Sequence, residues 1–124
     1  MSDWIMNSNQ FNFEKLLVYQ KALELANEIY ENTKKWPREF NFSLIDQIRR
    51  ASLSISLNIA EGASRTKLDF KRFITISRGS CHECIPIIEL AYKQKLIDFQ
   101  RREDWLKELT VISKMLSKLK NSLV

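Results

Sequence analysis

Residues 52–59 read Ser-Leu-Ser-Ile-Ser-Leu-Asn-Ile, and the fold class depends on whether this segment is a strand or a helix. Strict alternation of polar and apolar residues is typical of a half-buried strand. We nevertheless predict a helix, because both flanks follow a helical period and the sequence offers no second strand for pairing. As a helix the segment is apolar on more than one face. It therefore belongs in the middle of a bundle or in a subunit interface.

The scarcity of glycine and proline supports a helical fold. The 124 residues include two Gly and two Pro, whereas average usage would give about nine and six. Sandwiches and barrels need many tight turns, which draw on these residues, so sheet folds and Gly-rich nucleotide folds are excluded. The length is sufficient for one domain with one core, and no linker divides it.

The first half of the chain predicts two helices, at about 13–35 and 43–62, after a mobile tail at residues 1–12. The first ends before Pro37, because the residue before proline avoids helical angles. The second begins at Ser43, with Asp46 as its capping-box partner, and ends at Gly62. The first helix has a broad apolar stripe formed by Leu16, Val18, Tyr19, Ala22, Leu23, Leu25, Ala26, Ile29, Tyr30 and Thr33.

The second half predicts two longer helices, at about 66–96 and 99–122. Thr66 caps the third helix, and Pro86 within it should produce a kink. Asp98 caps the fourth, which has a heptad seam. The seam consists of Trp105, Leu109, Ile112, Leu116, Leu119 and Leu123. Together the segments predict an all-α, up-down-up-down antiparallel four-helix bundle.

Positive charge is concentrated in the second half. The chain has 20 basic and 15 acidic residues, and its net charge is +5. Residues 67–124 contain twelve basic and seven acidic residues, so they carry this whole excess. Such an imbalance permits phosphate or acidic-protein partners, although a solvated surface is the simpler interpretation.

Two rows of cations are the candidate nucleic-acid site. The row on the third helix consists of Lys67, Lys71 and Arg78, flanked by Arg65 and Arg72. The row on the fourth helix consists of Lys107, Lys114 and Lys118. Contact with a phosphate backbone needs only such rows, whereas the alternative is a solvated helix face.

The cysteines do not indicate a metal site or a cofactor. Cys81 and Cys84 supply two ligands, whereas structural zinc needs four. We predict that both thiols fill the core. The start of the chain shows no signal peptide, and the most apolar stretch, residues 51–60, is too short to span a bilayer, so we expect a cytoplasmic protein without membrane contact.

Several motifs resemble those of a known family. They are Lys15-Leu16-Leu17-Val18-Tyr19-Gln20-Lys21-Ala22, Gln47-Ile48-Arg49-Arg50-Ala51, Ser54-Ile55, Asn58-Ile59-Ala60-Glu61-Gly62, and Phe73 followed by Arg78-Gly79-Ser80. Over residues 11–122 the chain resembles the bacterial four-helix-bundle proteins encoded in 23S rRNA intervening sequences. The resemblance implies a ring-like homopentamer. It also implies similarity to the accessory protein of diversity-generating retroelements, whose basic surface is used for contact with nucleic acid. It implies no known reaction.

We predict structural roles for the residues of these motifs. We expect one of Arg49 and Arg50 to face a neighbouring helix and the other to face solvent. Glu61 and Glu83 are the candidate partners, since a guanidinium holds a carboxylate bidentately, and such an ion pair is favoured over a phosphate contact. Asn58 and Glu61 should satisfy backbone or arginine groups across the bundle. Gly79, followed by Ser80, indicates close packing against a neighbouring helix or subunit. The Cys81-His82-Glu83-Cys84 segment and Pro86 depart from the family pattern.

The resulting functional hypothesis is a non-enzymatic homo-oligomer that binds RNA or DNA through basic helix faces. One alternative is a scaffold for a protein partner such as a reverse transcriptase. The other is a ribonuclease similar to the HEPN enzymes, which cut RNA with an arginine and a histidine at short spacing. Arg78 and His82 would take these roles, because positions i and i+4 share a helix face.

Overall fold

Four helices make up most of the chain. The computed structural model describes residues 13–123, so the predicted tail at 1–12 lies outside the described residues. The helices are α1 (Phe13–Thr33), α2 (Asp46–Ala63), α3 (Lys67–Lys93) and α4 (Phe99–Ser122). A short 3₁₀ turn (Arg38–Phe40) and a π-helical turn (Asn41–Ile45) precede α2, and no strand occurs within 13–123. The all-α prediction is confirmed.

The alternating segment 52–59 lies inside α2 and divides its residues between two environments. Ile55 and Ile59 are buried in the core, whereas Leu53 and Leu57 are 43% and 58% exposed. The buried Ser56 hydroxyl donates to the Leu53 carbonyl oxygen of its own helix. Serine therefore enters the core without an unpaired polar atom.

One hydrophobic core lies between the helices. Every member of the predicted α4 seam is buried, from Trp105 to Leu123. The structure describes the side chains of α1 from residue 17 onward, so the predicted stripe member Leu16 is not among them. The buried side chains of this part are Val18, Ala22, Leu25, Ala26, Ile29 and Thr33. Leu23 and Tyr30 also belong to the predicted stripe, but they are 38% and 48% exposed. The stripe was predicted too wide, because a helix against one core buries only part of its circumference.

Polar contacts define which parts of neighbouring helices meet. The Ser77 hydroxyl of α3 donates to the Ile55 carbonyl oxygen of α2 at 2.9 Å. Lys120, near the end of α4, donates to Thr75, near the start of α3, at 2.8 Å. Lys21 of α1 lies 3.4 Å from Glu108 of α4. Each of α1 and α3 therefore contacts α4.

Two of the three predicted N-caps are confirmed. The Thr66 side chain accepts from the Asp69 amide at 3.2 Å, and the Asp98 side chain accepts from the Arg101 amide at 2.7 Å. Ser43 does not cap α2, because the π-helical turn runs directly into this helix without a non-helical residue. The Ser43 hydroxyl instead donates to the Phe40 carbonyl oxygen.

The ends of α1 and α3 differ from the predicted ones by two and three residues. α1 ends at Thr33 rather than 35, and α3 ends at Lys93 rather than 96, after continuing through Pro86. Lys95 stops α3 with a left-handed φ of 62°. The Leu96 amide then bonds to the Ala91 carbonyl, and the Lys95 amide to that of Tyr92, as in a Schellman motif.

Neither helical glycine has the role within the bundle that the sequence predicts. Gly62 does not end α2, which continues to Ala63. A Cβ atom there would lie 2.6 Å from the Phe73 Cβ and 2.9 Å from the Phe70 Cδ1, so Gly62 permits close contact with α3. A Cβ atom on Gly79 would meet nothing within 4 Å, so no helix of the described chain packs against it.

Candidate nucleic-acid interface

The row of cations on α3 begins at its first turn. Lys67 is exposed, whereas Lys71 and Arg78 are half-buried. None of the three forms an ion pair within residues 13–123. The Arg78 Nε atom is shielded from solvent and has no hydrogen-bond partner in this part of the chain. Such a donor is unusual, because buried polar groups are nearly always paired.

The second row of cations lies on α4, which packs against α3. Lys107, Lys114 and Lys118 are all exposed. Lys114 of α4 and His82 of α3 line the same cavity of about 240 Å³. We call the following cations the α3–α4 basic face: Lys67, Lys71, Arg78, Lys107, Lys114 and Lys118. The two predicted rows therefore lie on helices that contact each other.

The two flanking arginines differ from Lys67, Lys71 and Arg78, because carboxylates form ion pairs with them. Arg65 lies 2.6 Å from Glu61, and the hydrogen bond that Arg65 donates to this carboxylate raises the pKa of Arg65. Arg72 lies 3.8 Å from Asp69. Both pairs join residues three or four positions apart at the surface, where such ion pairs contribute little to stability.

Other helix cations form ion pairs that join neighbouring helices. Arg102 of α4 binds Glu89 of α3 with two nitrogens, and this hydrogen bonding lowers the pKa of Glu89. Arg101 lies 2.5 Å from Glu28 of α1. These pairs join α4 to both neighbours at the end of the bundle away from Lys67.

Arg49 does not pair with a carboxylate, contrary to the prediction. Its Nε donates to the Thr33 hydroxyl at 2.8 Å, its Nη2 donates to the Tyr30 carbonyl oxygen at 3.3 Å, and its guanidinium lies 4.1 Å from the Tyr30 ring centroid. α1 ends beside Arg49, and its last carbonyls favour a cation. Arg50 is exposed and has no ion pair within 13–123.

The family motif residues mostly form contacts within the bundle. The Asn58 amide donates to the Ser54 carbonyl oxygen at 2.8 Å and to its hydroxyl at 3.0 Å. The Ser54 and Ser80 hydroxyls lie 2.8 Å apart and join α2 to α3. Glu61 pairs with Arg65 rather than across the bundle, and Gln47 is exposed. The motif therefore holds α2 against α3.

Cys81 and Cys84 are buried free thiols, as predicted. Burial raises the pKa of each to about 12, although the nearby Arg78 charge opposes the shift at Cys81. Burial therefore favours the protonated thiol at neutral pH, whereas nucleophilic attack and metal ligation require the thiolate. Within 13–123, no group of three His, Cys, Asp or Glu side chains could hold a metal ion.

Arg78 and His82 lie one turn apart on α3, and their contact is through the backbone. The His82 Nδ1 atom lies 2.8 Å from the Arg78 carbonyl oxygen. This contact orients the imidazole along the helix rather than towards the guanidinium. It leaves Nε2 without a hydrogen-bond partner in the described residues.

Several apolar side chains form an exposed surface, which the sequence analysis located only in part. Leu23 and Tyr30 of α1 meet Leu53 of α2 around a cleft of about 330 Å³. Leu57 of α2 and Ile76 of α3 are 58% and 50% exposed. We call these five residues the α1–α3 apolar surface. The two-faced pattern of residues 52–59 was the signal that could have located it.

No helix in the described part of the chain is both long and apolar enough to cross a membrane.

Comparisons with known proteins agree with this architecture. No relative was found among curated protein sequences. The fold is similar to the crystal structure of a protein of unknown function from the S23 ribosomal protein family of Bacteroides thetaiotaomicron VPI-5482, with a TM-score of 0.81 and 26% identity. The match covers 88% of this chain and 99% of that one. The family model described as "23S rRNA-intervening sequence protein" matches residues 14–118. The chain therefore belongs to the 23S rRNA-intervening sequence protein family.

Proposed function

We propose that this protein binds the phosphate backbone of RNA or DNA through the α3–α4 basic face, without catalysing a reaction. One observation carries the proposal. Lys67, Lys71, Arg78, Lys107 and Lys114 have no acidic partner within residues 13–123, whereas many other helix cations of the bundle are paired. Such cations remain available for phosphates, which attract them through long-range Coulomb forces.

Geometry favours the backbone over the bases. The α3–α4 basic face offers ammonium and guanidinium groups, and its exposed residues include no row of aromatic rings on which bases could stack. Phosphate contacts position a protein on nucleic acid, whereas base contacts supply sequence information. The proposed binding is therefore insensitive to sequence and sensitive to salt.

We further propose that the four helices form an up-down-up-down bundle and that several copies assemble through the α1–α3 apolar surface. Exposed leucine, isoleucine and tyrosine side chains on three adjacent helices favour contact with a second copy. The resemblance described above supports a ring of five. In such an assembly each basic face is repeated, so individually weak phosphate contacts sum by avidity.

A binding measurement tests the phosphate proposal. The wild-type affinity for a labelled RNA hairpin should fall roughly 10²–10³-fold between about 50 and 200 mM salt. Replacing Lys71, Arg78 and Lys114 together by glutamine should weaken binding about 10-fold to 30-fold at low salt and reduce the salt slope by about 2–3. Fluorescence anisotropy gives both quantities.

The matched control removes the same charge elsewhere. Lys35, Arg38 and Lys95 are exposed and lie outside the α3–α4 basic face. Glutamine at these three positions should leave the affinity within about twofold. Absence of binding, or equal loss in both triple variants, would contradict the proposed site. A protein partner whose binding survives the first triple substitution would favour the scaffold alternative.

The same mixtures test the absence of catalysis. We expect the RNA to be recovered intact after prolonged incubation. Cleavage that disappears in the His82→Ala variant would contradict this part of the proposal and favour the ribonuclease alternative.

Assembly is tested by one substitution in the apolar surface. Leu57→Asp should dissociate the oligomer, because a carboxylate cannot be buried there without a partner. Native mass spectrometry should show a multiple of the chain mass for the wild type and monomer for the variant. Leu68→Asp is the control, since Leu68 is 63% exposed but lies outside the α1–α3 apolar surface. A monomeric wild type would overturn the assembly proposal.

A further inference from the structure

The cavity between α3 and α4 has a chemical character that distinguishes it from the rest of the basic face. Buried Cys81 and Leu109 lie among its lining residues, together with the partly exposed Ile85. Its polar lining residues are His82, Thr110, Ser113 and Lys114. No carboxylate lines it. The volume of about 240 Å³ is sufficient for one phosphate group with its ester oxygens.

The cavity offers specific hydrogen-bond donors. The Lys114 ammonium and the Ser113 hydroxyl have no partner within residues 13–123. Thr110 is different, because its hydroxyl donates to the Leu106 carbonyl oxygen at 2.9 Å and is already engaged. Lys114 and Ser113 are thus the permanent donors, and both can reach an anion in the cavity from α4.

His82 adds a donor whose presence depends on protonation. Its Nδ1 lies 2.8 Å from the Arg78 carbonyl oxygen. A carbonyl oxygen only accepts, so Nδ1 carries the hydrogen. In the neutral ring Nε2 is then an acceptor, which repels a phosphate oxygen. In the imidazolium Nε2 becomes a donor and the ring becomes a cation, and imidazoles change charge within the physiological pH range.

The charges around His82 determine what would stabilise the imidazolium. On α3 the nearest charged residues in sequence are Arg78 and the adjacent Glu83, which does not line the cavity. On α4 the charged residue at the cavity is Lys114. Because the cavity is bordered by cations, a bound anion is the group that would favour uptake of a proton.

We propose that this cavity holds one backbone phosphate, bound by Lys114 and Ser113, and that protonation of His82 adds a third contact. The protein would accordingly bind nucleic acid more tightly at mildly acidic pH than at neutral pH. This inference rests on the proposed function, since it assigns a particular phosphate position within the α3–α4 basic face.

The experiment compares pH responses at constant ionic strength. Wild-type affinity for a labelled RNA hairpin should increase about 3-fold to 10-fold from pH about 7.5 to about 5.5, because a charge-assisted contact is gained. The His82→Gln variant keeps an uncharged donor, so its affinity should change less than about twofold over the same range. Lys71→Gln, outside the cavity, should bind more weakly but retain the wild-type pH response.

A second readout observes the imidazole itself. His82 is the only histidine of the chain, so its ring C–H signal in the proton NMR spectrum is identified directly. RNA should shift the midpoint of its titration to higher pH, and Lys114→Gln should reduce that shift. Equal pH responses in wild type and His82→Gln, or a midpoint unaffected by RNA, would overturn this inference. The proposed function fails separately, through absent binding at both pH values.

Discussion

Gly62→Ala is expected to destabilise the protein by about 2 kcal/mol, although alanine is the better helix former. The added Cβ would lie 2.6 Å from the Cβ of Phe73, an atom that side-chain rotation cannot move. The contact is relieved only if α2 and α3 separate, and this separation disturbs the Ser77–Ile55 hydrogen bond. Overpacking of a core typically costs 1–3 kcal/mol, more than the roughly 1 kcal/mol gained in helix propensity.

Gly79→Ala is the matched control, because it makes the same change in a helix without a contact. A Cβ there meets nothing within 4 Å, so the monomer should gain roughly 0.5–1 kcal/mol. Thermal unfolding at one protein concentration measures the stability of both variants. Gly62→Ala should lower Tm by roughly 5–10 °C. A stable Gly62→Ala protein would contradict the close contact. A loss of assembly in Gly79→Ala would instead place Gly79 in a subunit interface.

Trp105→Ala is expected to have the largest effect on stability, about 3–5 kcal/mol. Trp105 is 1% exposed and is the bulkiest fully buried side chain of the core. Its indole Nε1 donates to Glu28 of α1 at 3.0 Å, and Arg101 binds the same carboxylate oxygen. Alanine would therefore leave a cavity and remove a link between α1 and α4. A loss of this size approaches the whole stability of a typical domain.

Trp105→Phe separates packing from hydrogen bonding. Phenylalanine fills much of the volume but cannot donate to Glu28, so about 1–2 kcal/mol should be lost. Urea unfolding followed by circular dichroism compares the variants, with Leu68→Ala as an exposed control within about 0.5 kcal/mol of wild type. A Trp105→Ala protein within about 1 kcal/mol of wild type would show that this part of the core is not tightly packed.

The Lys71, Arg78 and Lys114 substitutions act on a different property from these core changes. They lie at the surface between α3 and α4, so they should alter binding and its salt dependence while leaving the unfolding transition nearly unchanged. Comparing stability and binding for each variant distinguishes a lost phosphate contact from a lost fold.

The local sequence pattern was sufficient to predict the four helices and much of the core. The four segments and the α4 seam follow from hydrophobic periodicity, because one face of each helix must leave water. The caps at Thr66 and Asp98 follow from side chains that can accept from a backbone amide three residues later. Ser43 has the same chemistry but no cap, since the preceding turn already continues the helix. The rows of cations were also visible, because residues four and seven apart share a helix face.

Only the tertiary structure decided how these surfaces meet. Sequence does not reveal that Arg65 is occupied by Glu61 while Lys71 lacks a carboxylate, since ion pairing depends on which neighbours packing supplies. Nor does it distinguish Gly62, which lies against Phe73, from Gly79, which faces open space. Composition and periodicity thus determined an all-α protein with a basic second half. Close packing between helices determined which glycine lies against a neighbouring helix, which cations have carboxylate partners and which residues line a cavity together with His82. Contacts between such distant segments depend on side-chain fit, which local pattern does not encode.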